Sequence, residues 1–454
     1  MKTSFTRAGF LGVAISMFLG SCMTIPQTAA NGDSLEIVTP DQRGASEGLT
    51  EESVISDSAP SDQRIAYVNG DGNHFVAGHS ALDISSPLDV QLEFRPVWLL
   101  GVEMSQGSAW VAISDSGDVE AFQVIGGTAQ ALEIEPRSLP SGKPPVVTYD
   151  GLTTRLFTSG DQNAATDTYA VYLPRSDRLA YIDQSGDLIV TDGVASEHLE
   201  LGALPDARLL VDDEDRILLL GRRTERYPHG VLGDGYEAGS ILLVTTTPQL
   251  QLIQDIQLPE REVFEGNSPI WHDFDGDGIR EIFATVSDRD QGAYLAMFSE
   301  NGSLLARSEA IGRAFRWRHP ITVADFLGTG QFEIAAVLTP HIGGILEFFS
   351  WEGREFKLLA TRGGVSSHRI GSRNLDMALS ADVDGDQHIE LLLPTSTYDA
   401  LVAFQRDGDE VVLDWEVQLG SRLSTNLAGV VFEDGELGFG LGLESGIVRL
   451  WLPR

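Results

Sequence analysis

The chain has 454 residues and sets 31 Lys and Arg against 67 Asp and Glu, a formal charge of −36. That balance leaves no basic surface to displace counterions from phosphates, so nucleic acid is excluded as a partner, and anionic lipid or acidic polymers are repelled unless a cation bridges them. One cysteine excludes an internal disulfide, while a hydrophobic fraction of 42% suffices for a sizeable core.

The N-terminus reads as an export signal. Lys2 and Arg7 supply the charge, and residues 8–19 (AGFLGVAISMFL) an apolar stretch too short to span a bilayer. It ends in Leu19-Gly20-Ser21-Cys22, which resembles the lipobox of bacterial lipoproteins, and the chain's one cysteine stands at the lipidated position. The resemblance implies a signal peptide over residues 1–21, an acylated Cys22 as membrane anchor and, with Met23 following, sorting to the outer membrane of a Gram-negative bacterium, facing either periplasm or exterior. Residues 22–63 are rich in Ser, Thr, Gly, Pro and acids and read as a flexible acidic linker, with a short strand at 34–38 (SLEIV) as the alternative.

From residue 64 to 454 short β-branched and aromatic runs alternate with Gly, Asn and Asp turns, an all-β pattern. Five self-similar hairpins are expected at 109–124, 178–193, 294–312, 346–364 and 401–420, each with a polar-Gly turn. Between them recurs an acidic loop: 270–286 (IWHDFDGDGIREIFATV), 322–338 (TVADFLGTGQFEIAAVL) and 380–395 (SADVDGDQHIELLLPT), whose first aspartates are 52 and 57 residues apart. That period suggests about seven units, with six or eight allowed. Residues 212–220 and 432–441 carry degenerate versions without the full set of acids.

The loops DFDGDGIRE and DVDGDQHIE resemble the D-x-D-G-D-x-x-x-E/D loops of the FG-GAP or VCBS repeat family, the blade also found at the head of integrin α chains. The resemblance implies a β-propeller of four-stranded blades over residues 64–454, closed by the pairing of 446–452 with an early strand near 64–75. Segments before Pro228 match the motif poorly.

Oxygen donors at alternate positions suit a hard cation such as Ca²⁺. One set would be Asp273, Asp275, Asp277 and Glu281 with the carbonyl of Ile279, the other Asp382, Asp384, Asp386 and Glu390 with the carbonyl of His388. An EF-hand is ruled out because Ala284 and Leu393 stand where its twelfth-position Glu belongs. Metal-free acidic turns remain the alternative. In the third loop Leu327 and Thr329 replace two ligands, so no tight site is expected there, and the two calcium ions would be structural.

In the FG-GAP or VCBS family the acidic loop follows the innermost strand, so the resemblance implies that the segments preceding those strands emerge on the opposite face. They carry Arg316, Trp317, Arg318 and His319, then His368, Arg369, Arg373 and Asn374, and Thr425-Asn426, joined by Tyr227 and His229 from the loop 225–239. Two readings stand: a cationic, aromatic-lined ligand face, or packing between blades with the arginines paired to carboxylates. The chain holds no G-x-S-x-G, H-E-x-x-H or Walker loop, and no catalytic residue is assigned. The expected function is a calcium-stabilised, lipid-anchored interaction module for protein or glycan at the envelope. The alternatives are a lyase-like enzyme acting on polysaccharide through the opposite face, and a scaffold for outer-membrane assembly.

Overall fold

When a hairpin turn spans only a few residues, each strand must pair with its neighbour in sequence, and a chain of such turns folds as successive meanders. The computed structural model describes residues 64–65, 70–140, 146–149, 153–160 and 163–453, and among them there are strands and turns but no α-helix. The signal segment 1–21, Cys22, the linker 22–63 and the strand expected at 34–38 lie outside the described residues.

The meanders run in chain order. The first contains Pro96–Glu103, Ser108–Ser114, Val119–Ile125 and Thr128–Ala131. The second sheet joins Arg64–Ile65 to Val146–Tyr149 and Thr154–Phe157, and the third runs from Val171–Leu173 to Ser196–Glu200. Three more follow, beginning at Leu210–Val211, Ile270–His272 and Arg318–Ala324. These three are linked edge to edge, because Glu262–Phe264 pairs with strands of two of them and Arg307 bridges to Glu355. A further meander runs from Leu379–Asp382 to Glu410–Gln418, and the last consists of Ala428–Val431, Leu437–Gly442 and Ile447–Trp451.

All five expected hairpins form, with their strands paired antiparallel. At the first, Gly117 has φ +93° and a Cβ would lie 1.9 Å from the Leu139 carbonyl oxygen, so only glycine fits the turn. Burial follows position within the meander. Glu281–Asp288 and Gly292–Phe298 are buried throughout, whereas the final strand Glu410–Gln418 is mostly exposed. Middle strands covered on both faces therefore read as continuous apolar runs, and edge strands do not.

Closure differs from expectation. Ile447–Trp451 pairs antiparallel with Leu88–Gln91, not with residues 64–75. The earlier residues are used elsewhere: Phe75–His79 adds in parallel to Leu379–Asp382, and Arg64–Ile65 pairs with Val146–Tyr149.

Residues 70–82 cross five successive meanders. The Gly70 carbonyl accepts from Val211 N–H and that of Asp71 from Trp271 N–H, both at 2.7 Å. The Asn73 side chain donates to Val323 O and accepts from Val323 N–H, and the His74 carbonyl accepts from Ser380 N–H. His79 N–H then donates to Gly435 O, and Ser80 Oγ accepts from Leu437 N–H. A single segment thus satisfies inner-strand backbone groups that a bare meander would leave unpaired.

Candidate functional site

The acidic loops join the first and second strands of their meanders, where glycines at positive φ let the backbone curl beneath its own carboxylates. Gly276 and Gly278 have φ +75° and +85°. Asp273 accepts from the N–H groups of Gly276 at 2.9 Å and Gly278 at 3.0 Å, and Glu281 Oε2 accepts from Phe274 N–H at 3.0 Å. The second loop repeats the pattern: Asp382 accepts from Gly385 and Gln387, and Glu390 Oε2 from Val383 N–H at 2.8 Å.

Each loop brings three carboxylates together. Asp273, Asp275 and Glu281 form one trio and Asp382, Asp384 and Glu390 the other, with ligand oxygens all within 4.8 Å of one another. Asp277 and Asp386 stand outside the trios, and each accepts a backbone N–H two residues on, from Ile279 and His388. Burial, reinforced by Asp384 and Asp386, pushes Glu390 up to about 8, and Glu281 is raised by burial and by its three aspartates. An all-oxygen set whose members repel one another without a counter-charge fits a hard divalent cation.

Two neighbours of the second loop were not foreseen. Gln405 Nε2 donates to Glu390 at 2.7 Å and to Asp386 at 3.0 Å, and Asp414 is raised by burial and by the charges of Asp384 and Asp386. Both lie on the next hairpin, at separations no local motif encodes. The third loop balances its charge differently. Asp325 accepts from Thr329 and Gly330, while Glu333, at the place of Glu281 and Glu390, is ion-paired with Arg406 at 2.8 Å. Both partners are buried, so the glutamate equivalent to Glu281 and Glu390 is here paired with a guanidinium.

On the opposite face the arginines are engaged. Arg318 pairs with Glu347 at 2.7 Å, and Arg369 with Glu444 at 2.7 Å. Arg373 reaches Asp234, Asp206 and Asp167 at 2.8, 3.2 and 3.4 Å. Trp317, His319, His368, Asn374 and Tyr227 are buried. Trp317 stacks on His319 at 4.6 Å, His341 Nε2–H donates to His368 Nδ1 at 2.7 Å, and His368 Nε2–H donates to Ser372 O. The Tyr227 hydroxyl accepts from Phe315 N–H, His229 contacts Glu265, and half-buried Arg316 donates to the Phe315 carbonyl. This geometry matches the packing alternative more closely than an open ligand mouth.

Asp376 is the residue that sequence reasoning missed most completely. Fully buried, it accepts from Arg208 at 2.6 Å and faces His74 Nε2 at 3.0 Å. Burial would raise its pKa, but Arg208 and His74 outweigh that and hold it at about 2. Its backbone carbonyl also accepts from Leu427 N–H.

No protein-family model and no curated protein matches the chain. Solved structures do. Quinohemoprotein alcohol dehydrogenase ADHIIG from Pseudomonas putida HK5 aligns with a TM-score of 0.51 and 10% identity over 85% of this chain and 80% of that one. BBS1N in complex with ARL6DN aligns at 0.44 and 11%, covering 83% and 98%, and the WD40 β-propeller domain of Doa1 at 0.40 and 9%, covering 82% and 96%. The neighbours are β-propellers. At these identities the likeness concerns fold alone.

Proposed function

We propose that this chain is an exported lipoprotein, held to the outer membrane through Cys22, whose β-propeller head is stabilised by calcium and presents a binding surface to protein or glycan. In this reading the eight successive strand groups are blades, one more than the period of the acidic loops suggests, and the head is of FG-GAP or VCBS type.

The observation that carries the calcium assignment is internal. Two loops at equivalent places converge three carboxylates each, and the third, lacking two of the acids, has an arginine on the equivalent glutamate. Asp273, Asp275 and Glu281 would hold one ion and Asp382, Asp384 and Glu390 the other. The role is structural, since each loop serves one ion and the two sets belong to separate meanders. Support for a binding module over a lyase comes from the opposite face, where Arg318 and Arg373 are already committed to carboxylates and His319 and His368 are buried.

The test is the melting temperature with excess calcium and with chelator. At a roughly hundredfold excess over Kd each site contributes about 2.7 kcal/mol, or about 3 °C for a unit of this size. Asp275→Ala and Asp384→Ala are each expected to remove about half of the total shift. A wild-type melting temperature indifferent to calcium would overturn the assignment.

A further inference from the structure

A cavity of about 950 Å³ lies between the first and last meanders, where the chain closes on itself. That is at the upper end of the size range of ligand pockets, about 300–1,000 Å³. Its walls come from the turn at 103–108, the Gly126-Gly127 turn, the turn at 432–436 and the end of the closing strand. Two features define its chemistry. Met104, Phe432 and Leu452, all partly exposed, give it apolar surface. Asp83, Glu103, Glu433, Asp434 and Glu436 give it acidic surface, and no Lys, Arg or His lines it.

The carboxylates do not form a metal site: the converging acidic groups among the described residues are the two loop trios and no others. Instead they are spread around an apolar floor. The turns also leave room, because Cβ atoms at Gly126 and Gly127 would meet nothing within 4 Å. A small hydrophilic cation would leave the apolar surface wet, and an apolar ligand would bring no charge to the rim. We propose that this groove is the partner-binding site of the interaction module, and that its occupant is an extended cationic peptide segment with large apolar side chains alternating with Lys or Arg. The alternation matters because in an extended segment successive side chains point to opposite sides, so apolar residues can seat on the floor while the basic ones reach the rim. This inference rests on the reading of the protein as a binding module, not on its calcium assignment.

The probe is the labelled hexapeptide Lys-Leu-Lys-Phe-Lys-Leu, capped at both ends and titrated by fluorescence anisotropy at physiological salt, where long-range attraction is screened beyond about 8 Å. Two control peptides separate the contributions: Lys-Ser-Lys-Ser-Lys-Ser keeps the charge, and Gln-Leu-Gln-Phe-Gln-Leu keeps the apolar residues. Saturable 1:1 binding is expected, weaker by at least about tenfold for each control, which is about 1.4 kcal/mol. The variant Glu433→Lys/Asp434→Lys, at two exposed turn positions, should weaken binding by about tenfold or more, and Met104→Ser should do so without changing the charge. Equal binding by the Lys-Ser peptide would overturn the proposal, since the field of a chain with net charge −36 would explain it. So would an undiminished affinity in both variants, or no saturable binding. The calcium-dependent melting shift, measured on the same samples, reports separately on the calcium assignment: absent peptide binding in a protein that keeps the shift overturns the groove alone.

Discussion

If Arg406 supplies to the third acidic loop the positive charge that a cation would supply to the other two, its removal should cost what a buried unpaired carboxylate costs. Arg406 and Glu333 are 3% and 5% exposed, and they meet in a two-pronged pair with N···O distances of 2.8 and 3.3 Å. Breaking such a pair from one side typically costs about 3–5 kcal/mol. For the unit Ala59–Arg454, roughly 400 residues, the unfolding entropy is about 0.8 kcal/mol per kelvin, so Arg406→Met is expected to lower the melting temperature by about 4–6 °C. The companion variant Arg406→Met/Glu333→Gln removes the stranded charge and should regain more than half of that loss. Differential scanning calorimetry in calcium and in chelator is the assay, and the loss from Arg406→Met should be the same in both, because this loop lacks the acids to recruit an ion. A melting temperature within about 1 °C of wild type, or a double variant no better than the single one, would refute the substitution of guanidinium for cation.

Three other outcomes are expected. Ser80 and Leu82 N–H groups donate to the carbonyls of Asp382 and Val383 at 3.0 Å, so calcium should slow their hydrogen exchange, and Asp384→Ala should abolish the slowing; exchange indifferent to calcium would disconnect loop and segment. Asp376→Asn leaves Arg208 buried against a neutral amide and should destabilise by about 3–5 kcal/mol, read as a loss of about 4–6 °C by calorimetry, whereas a surface-like change below about 1 °C would deny Asp376 its central role. Burial holds His341 at about 4 and His368 at about 3, below the ordinary histidine value near 6.5, so the unfolded chain binds more protons. The stability gained by keeping them neutral is complete above about pH 6.5 and is lost as pH falls from there towards the folded values. Between pH 6.5 and 5 these two histidines therefore lower the melting temperature, against the opposite contribution of Glu390, which burial keeps protonated in the fold without a cation. The readout is the difference: His368→Gln, though less stable at pH 7, should fall less or rise more than wild type over that range, whereas parallel curves would reject the histidines as the cause.

What the sequence revealed and what it hid divide along contact distance. The five hairpins were legible because a polar-Gly turn fixes pairing between neighbours, and the converging carboxylates because alternate positions in a glycine-bearing loop face one point. The closing strand was misplaced because 64–75 and 88–91 are both short extended runs, and only the three-dimensional course of residues 70–82 shows that the first is used for crossing. That crossing was unreadable because no period links Asn73 to Val323 or His74 to Asp376, which are separated by 250 and 302 residues. Ambiguity on the opposite face had a different origin. Arg, His and Trp there suit a ligand mouth and a packed seam equally well, and the partners that decide between them are distant in sequence: Glu347, two strands on in the same meander, for Arg318, and Asp206, in another strand group, for Arg373.

The two crossing elements also explain how a fold of locally paired strands can be held together across its width. Meanders bury their faces on their immediate neighbours, which leaves the inner edges of the first strands to be satisfied by something else. Residues 70–82 do so along one course, with Trp271, Val323 and Ser380 N–H groups all donating to that segment. Around Arg373 and Asp376 a second course ties separate strand groups together, taking side-chain hydrogen bonds from Tyr169, Asn267 and Arg208 and a backbone one from Leu427. His74 and Asp376 meet at 3.0 Å where the two courses touch. There the buried charges of Arg208 and Asp376 are paired with one another, so the contact between the two courses is held by ionic as well as backbone bonds. The groove proposed above as the partner site lies beside the closing strand, so in that proposal the strand that completes the fold also forms part of the surface offered to a partner.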